Sequence, residues 1–313
     1  MLAFETFFEE TLRPALLPLE RRRKTRIWLL RLLPVVVALM VTVVYGFEWM
    51  RLINFWQFLL ISAFVGAVIV GVFWLFFSER SLPDEVEEVL QAGVPVFLGE
   101  AFTPQGGFVH YKKFADSGLF PQQVGHYTGE NHFVSAGPMG NLSFSEIRAG
   151  NEIQGEWQDV FWGLFFVQEC MLPAATPVLI LPNRAKMGFQ RTAESILGHF
   201  YDKEALQPLR LSVDQLTGYA IYAGEDKTAQ SMLPPTVFDL LNEQGLDYPC
   251  HIAIKGKYAF VAIPLGNNWL QPDLSRKLTT ATHVQHYYDI AQLGVSLCQE
   301  IAMPPLEVKP KSK

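Results

Sequence analysis

Apolar positions are spread very unevenly along this chain. Two long runs without a charged side chain, Leu32 to Phe47 and Leu52 to Ser78, are separated by a short loop that carries Glu48 and Arg51. About 20 apolar residues at helical rise cover a bilayer core, with about 17 at the low end. The pattern therefore predicts a transmembrane helical hairpin over residues 32–78. Pro34 falls in the first turn, where its missing N–H forfeits no helical bond, and Trp49, Trp56 and Trp74 fall near headgroup level. Ala63, Ala67 and Gly71 recur every four residues, with Ser62 and Gly66 beside them. They read equally as a packing seam between the two helices and as the small residues common in any span. No small-residue cleavage site follows the first run, so it is not a signal peptide.

Other periodicities flank this region. Phe4, Phe7, Phe8, Thr11, Leu12 and Ala15 share one helical face, opposite Glu5, Glu9, Glu10 and Arg13, and predict an amphipathic helix that Pro14 and Pro18 break into turns. Ser81, with Pro83 and the acidic Asp84, Glu85, Glu87 and Glu88, predicts a helix start, and Gly93 its end. From there to Leu181, five segments read as strands: 108–111, 124–127, 132–135, 161–168 and 178–181. Turn formers bound them, among them Gly106-Gly107, Thr128-Gly129 and Gly137-Pro138. Ser143 with Glu146 fits a capping box and an alternating strand alike. Residues 191–200 predict a short helix, 216–223 a strand, and Asp226 a helix cap. Pro234 and Pro235 interrupt that helix, a second turn-rich helix runs to Asn242, and Gly245 closes it. His251 to Ile254 and Lys257 to Ile263 predict a hairpin turning at Lys255-Gly256. A last helix over 275–302 carries the stripe Leu278, Ala281, Val284, Tyr288, Ala291, Val295, Cys298 and Ile301, followed by a mobile tail.

Charge sets the topology this pattern implies. Seven basic residues, Arg13, Arg21, Arg22, Arg23, Lys24, Arg26 and Arg31, precede the first run, and only Arg51 lies between the two. Both termini are therefore expected on the cytoplasmic side of a bacterial inner membrane. Of the 25 Lys and Arg, seven precede the runs and one lies in the loop, leaving 17; of the 31 Asp and Glu, four precede and one lies in the loop, leaving 26. The formal charge of −9 beyond residue 78 argues against nucleic-acid binding, which rests on neutralising phosphates. Three unpatterned cysteines, Cys170, Cys250 and Cys298, suit a reducing compartment.

Candidate chemistry is sparse. His283 and His286, with Asp289 three residues on, could share a helical face and bind a divalent metal; the same spacing is more often surface polarity. Cys250 and His251 cannot act as nucleophile and base on a strand, because adjacent side chains point to opposite faces. Cys298 reads as a buried small hydrophobe, and Cys170 has no basic neighbour to activate it. His126 and His132 flank the stretch 127–131, expected to be a hairpin turn with solvated tips rather than a ligand site. Gly137-Pro138-Met139-Gly140 lacks the spacing of a phosphate loop, and no Gly-x-Ser-x-Gly or His-Glu-x-x-His occurs.

Several motifs occur in a familiar order: Leu12-Arg13-Pro14 with Leu19-Glu20 and Arg23, Ser117-Gly118-Leu119-Phe120, Tyr127-Thr128-Gly129-Glu130-Asn131, Phe144-Ser145-Glu146, Phe161-Trp162-Gly163-Leu164-Phe165, and Tyr222-Ala223-Gly224-Glu225-Asp226 with Ala229 and Leu233-Pro234-Pro235. Across nearly the whole chain this order resembles an uncharacterised bacterial family, a domain of unknown function in two-span inner-membrane proteins. The chain departs from the pattern at Asn131, Asp226 and Trp162. The resemblance implies a membrane anchor with a cytoplasmic C-terminal domain, and no activity or site residues.

The expected fold is α+β: an amphipathic and basic segment (1–31), the transmembrane hairpin (32–78), a cytoplasmic mixed domain with antiparallel strands and a long C-terminal helix (79–303), and a tail (304–313). The expected function is a membrane-anchored binding or assembly module. It would meet the bilayer through two helices and a protein partner or second copy through its domain, with no catalytic residue, cofactor or metal assigned. Two other readings are a membrane-bound enzyme without a recognisable motif, using His126, His132, His283 or His286, and a lipid-headgroup-reading β-rich domain near 108–168.

Overall fold

A computed structural model describes residues 3–50, 81–99, 101–120, 124–137, 140–153, 155–182, 207–208, 216, 218–224, 232–245 and 247–303, with a few helical positions between 63 and 71. The chain forms two compact units. Unit 1 comprises Val94–Trp269 and Gln285 onward; unit 2 comprises Leu2–Gly93 and Leu270–Val284.

In unit 2 a short helix α1 (Phe4–Phe7) passes through a π turn, Phe8–Leu12, into the 38-residue helix α2 (Arg13–Met50). Phe7, Phe8, Leu12, Leu16 and Leu19 are buried, so the amphipathic face exists but the expected break at Pro14 and Pro18 does not. The widened turn ends just before Pro14, whose ring would otherwise crowd the carbonyl of the preceding turn. The transmembrane hairpin is also corrected. Residues 32–50 are the end of a helix that begins at Arg13 and runs through the basic stretch, rather than a separate span. Among the described residues no helix is long and apolar enough to cross a membrane. Most of the second run lies outside the described residues. Multi-pass placement in an inner membrane, and contact with a bilayer through two helices, are withdrawn with the hairpin.

The buried polar link of unit 2 is the pair Glu20–Arg23, one helical turn apart. Arg23 Nε and Nη2 donate to the two Glu20 oxygens at 2.9 Å each, and its Nη1 donates to the Leu274 carbonyl at 3.1 Å. The Leu278 N–H donates to Glu20 at 3.0 Å. Burial pushes the Glu20 pKa up, but the Arg23 and Leu278 hydrogen bonds and the charges of Arg23 and Lys24 outweigh it, so the carboxyl lies below its usual range. One carboxylate therefore ties residues 274–278 to α2. The helix α3 (Leu82–Leu98) starts as expected, with Ser81 Oγ accepting from the Asp84 N–H, but continues through Gly93 and Pro95.

Unit 1 is built on an antiparallel sheet. Its strands are β1 (Phe102–Gln105), β2 (His126–Gly137), β3 (Gly140–Ile153), β4 (Glu156–Pro182), β5 (Gln207–Pro208), β6 (Tyr219–Ala223) and β7 (His251–Pro264). They run in the order β1-β2-β3-β4-β6-β5, with β7 also paired to β4. Beside it lie the helices α4 (Tyr111–Asp116), α5 (Pro235–Glu243) and α6 (Ala281–Ala302), the last divided between the units. Every pairing among the described residues is antiparallel. Residues 108–111 are not a strand; they lead into α4, whose N-cap His110 accepts from the Lys112 N–H. Residues 251–264 are not a hairpin either. They form one strand that bends at Gly256 (φ 56°) and follows a matching bend in β4, where Ala174 faces Gly256. The helix expected over 191–200 and the cap at Asp226 lie outside the described residues.

Alternation on β3 and β4 divides the side chains between two faces. On one, Phe114 from α4 stacks on Phe120 (4.7 Å) and packs against Phe161, Phe165 and Tyr127. On the other, Phe133, Phe144 and Phe166 stack in a row under Trp269, and α6 crosses Phe166 at Gly294.

Two predictions follow from this packing. A Cβ at position 294 would stand 2.2 Å from the Phe166 ring. Gly294→Ala should therefore cost about 1–3 kcal/mol or more through overpacking, measured as a lowered urea midpoint with unchanged slope. Glu20→Ala leaves the Arg23 guanidinium buried without its carboxylate and should cost about 3–5 kcal/mol, with faster hydrogen exchange at the Leu278 amide. Because the Glu20 pKa is depressed, its contribution is complete above the ordinary carboxylate pKa and is lost as pH falls through the folded value.

Candidate functional site

The second face of the sheet changes character along β3. Leu142 and Phe144 are buried under the aromatic row, Glu146 is buried at the end of it, and Arg148 is half-buried beyond it. Their partners on β4 are Gln168, Phe166, Leu164 and Trp162. Past Glu146 the face carries His126, Thr128 and Glu130 from β2, Arg148 and Glu152 from β3, and Trp157, Asp159 and Trp162 from β4. Most of these are exposed.

Glu146 is 3% exposed and accepts three hydrogen bonds. Asn131 Nδ2 and Trp162 Nε1 donate to its two oxygens at 3.3 Å each, and the Trp269 N–H donates as well. Asn131 reaches it from a bulge between Glu130 and Phe133, where it adopts φ 54°. Asparagine tolerates this left-handed backbone better than most residues. Gly129 permits the approach of β2, because a Cβ there would stand 2.6 Å from the Glu146 carbonyl oxygen. Thr128-Gly129 is thus mid-strand rather than the expected turn, and the Ser143/Glu146 alternative resolves as a strand. Burial is the largest influence on Glu146 and the charge of Glu130 adds to it. Together they outweigh the three donors and push the pKa up to about 7.

Outside this acid the surface is held by aromatic and ionic contacts. The Arg148 guanidinium lies 4.1 Å from the Trp162 ring centroid and 5.4 Å from that of Trp157, and donates to Asp159 at 2.9 and 3.4 Å. Trp157 Nε1 also donates to Asp159. Its ring reaches over Gly150 and packs against His126 at 5.5 Å.

The histidines weighed for chemistry have separate surroundings. His126 is on this surface, His132 follows the bulge on the opposite face, His286 packs on Tyr287, and His283 belongs to unit 2. Burial lowers the pKa of His132, and lowers that of His251 to about 4. The three thiols are buried and their pKa values raised, to about 11 for Cys170 and about 12 for Cys250, so none is held as thiolate. Among the described residues no group of three or more His, Cys, Asp or Glu is placed to hold a metal ion.

The sequence assigns no site, and Glu146 enters as a capping or strand residue and as part of the motif Phe144-Ser145-Glu146. The available signal was the motif order, since Glu130-Asn131, Glu146 and Trp162 belong to three of the quoted motifs. The fourth partner, Trp269, gave none.

Because its folded pKa is raised, Glu146 favours the protonated folded state. Its contribution, about 3 kcal/mol, is lost as pH rises from the ordinary carboxylate value of about 4.5 through 7. Buried His251 in the same unit, with its pKa lowered, contributes with the opposite sign over nearly the same range. The acid's share is therefore read from the difference between the wild-type and Glu146→Gln profiles, with urea midpoints followed from pH 4 to 9.

No protein-family model matches the sequence, and no curated protein does. A solved structure that aligns with it is the crystal structure of the mycobacterial trehalose monomycolate transport factor A, TtfA. It is 10% identical, covers 69% of this chain and 97% of that chain, and has a TM-score of 0.34. A likeness of that size decides neither fold nor function.

Proposed function

We propose that the chain is a non-enzymatic binding module and that unit 1 meets a protein partner, or a second copy, through the uncovered half of its sheet. The observation that carries this is the exposed Trp157 beside the half-buried Trp162 and Arg148. Tryptophan and arginine dominate the energetics of protein interfaces because they combine large area with directed polar groups. Here both indoles are fixed by hydrogen bonds before any partner arrives, which reduces the ordering cost of association. Glu146, the acid nearest this surface with a raised pKa, does not favour catalysis. It is buried beneath the surface and its oxygens already accept three donors. Headgroup reading is disfavoured by the carboxylates of Glu130, Glu152 and Asp159, which repel anionic lipid.

A photo-crosslinking residue at the exposed Thr128, compared with one at the exposed Glu243 on α5, tests the proposal in cells. The expected result is a discrete product from position 128, at twice the chain mass if the partner is a second copy. Equal crosslinking from both positions, or none from 128, refutes it.

A further inference from the structure

We infer that the segment this surface accepts is basic and extended, bearing lysine or arginine at alternate positions. The inference rests on the binding reading above and specifies its partner's chemistry.

The surface holds three carboxylates, Glu130, Glu152 and Asp159, and one guanidinium, that of Arg148. Arg148 is already committed: Asp159 takes two of its hydrogen bonds and Trp162 stacks beneath it. It therefore offers little to an incoming anion. Glu130 and Glu152 have no ion-pair partner among the described residues; Glu152 on β3 pairs in register with Trp157, and Glu130 on β2 stands opposite Glu146, two strands from Trp162. Their charge is uncompensated where a partner would dock. The indoles favour the same sign, since an aromatic face attracts a cation through its quadrupole, as the Arg148 stack already shows. Trp157 is 40% exposed, so much of its ring is open to a second cation.

Geometry adds the preference for an extended chain. Glu130, Arg148 and Trp162 lie on three adjacent strands, at positions whose side chains share one face. Adjacent strands are about 4.8 Å apart, and alternate residues of an extended peptide are about 6.6 Å apart. Basic side chains at alternate positions of an extended segment lying along β3 would thus meet Glu130 at one end, pass Trp162, and reach Glu152 with Trp157 about 20 Å away, with the intervening residues pointing away. The excess of acidic residues beyond position 78 steers such a segment inward over the range of a Debye length.

The test uses the full chain and two fluorescein-labelled decapeptides, one alternating Lys with Ser and one alternating Glu with Ser. Fluorescence anisotropy is read at 50 and 300 mM salt. The lysine peptide is expected to bind at least tenfold tighter than the glutamate peptide. Trp157→Ala should weaken it at least tenfold, as should the double variant Glu130→Gln/Glu152→Gln, with circular dichroism confirming that each variant is folded at the assay pH. The matched control, Glu243→Gln/Asp247→Asn, removes the same charge elsewhere on unit 1 and should change affinity less than twofold. Equal binding of both peptides, or equal losses in the control and the surface variants, overturns the inference. If a partner crosslinks at position 128 while the lysine peptide fails, the binding reading stands and only the partner's chemistry is wrong.

Discussion

The constraint on which unit 1 depends is the hydrogen bonding of β4. A strand of 27 residues has donors and acceptors along two edges, and a buried strand must pair them nearly all. β3 and β7 pair with its first half from opposite sides, and β6 and β7 with its second. Where both edges are paired, from Gly163 to Gln168, the side chains are buried on both faces. Cover then has to be found above and below: Phe114 and its helix on one side, Trp269 and α6 on the other. The long reach of β4 also explains why β7 bends where it does. Two strands paired through a kink must kink together, and Gly256 supplies the backbone that allows it.

The cover on the second face is shorter than the strands beneath it, and Glu146 stands where it stops. Along one row of β3, apolar Phe144, the buried acid Glu146 and the charged Arg148 follow at intervals of two residues. The dielectric changes over the same distance. Under cover, burial outweighs three hydrogen-bond donors and raises the carboxyl to about 7; one step outward, Arg148 pairs with Asp159. Trp162 joins the two, donating to Glu146 by its Nε1 and offering its ring to Arg148. Placement of the exposed surface is thereby tied to a buried group.

Strand positions in unit 1 were legible because their alternation and branched or aromatic content are local. Residues 124–127, 132–135, 161–168 and 178–181 fall in or beside β2 and β4. Misreadings came where a glycine serves a neighbour rather than a turn. Gly129 makes room for the Glu146 carbonyl and Gly256 bends with β4, and neither purpose is visible in a one-dimensional pattern. Gly93 failed as a helix stop for a related reason, because tertiary packing overrides propensity, and the helix runs on through Pro95. The apolar run from Leu32 was read as a self-contained span, whereas its helix starts 19 residues earlier. The site was not legible at all, since Asn131, Glu146, Trp162 and Trp269 converge from four distant places and none belongs to a motif with a chemical mechanism. Glu20 and Arg23 show the same limit: their spacing is local, but the amide of Leu278 that completes the pair lies 258 residues away.

What a surface can recognise is set by which of its charges are still free. A guanidinium stacked on an indole is often the mark of an anion site, yet here Asp159 already takes two of its hydrogen bonds and offsets its charge, so an incoming phosphate or carboxylate competes with a carboxylate in place. The same contacts that quench Arg148 immobilise Trp157 and Trp162, so the apolar part of the surface is rigid while its net field comes from Glu130 and Glu152. Rigid indoles with free carboxylates nearby select for a cation carried on an apolar stem, which is the structure of a lysine or arginine side chain. A nucleophile or general base has no comparable place: the one carboxyl tuned to near-neutral pH lies beneath the indoles, held by three donors, where it can fix the surface but cannot touch what lands on it.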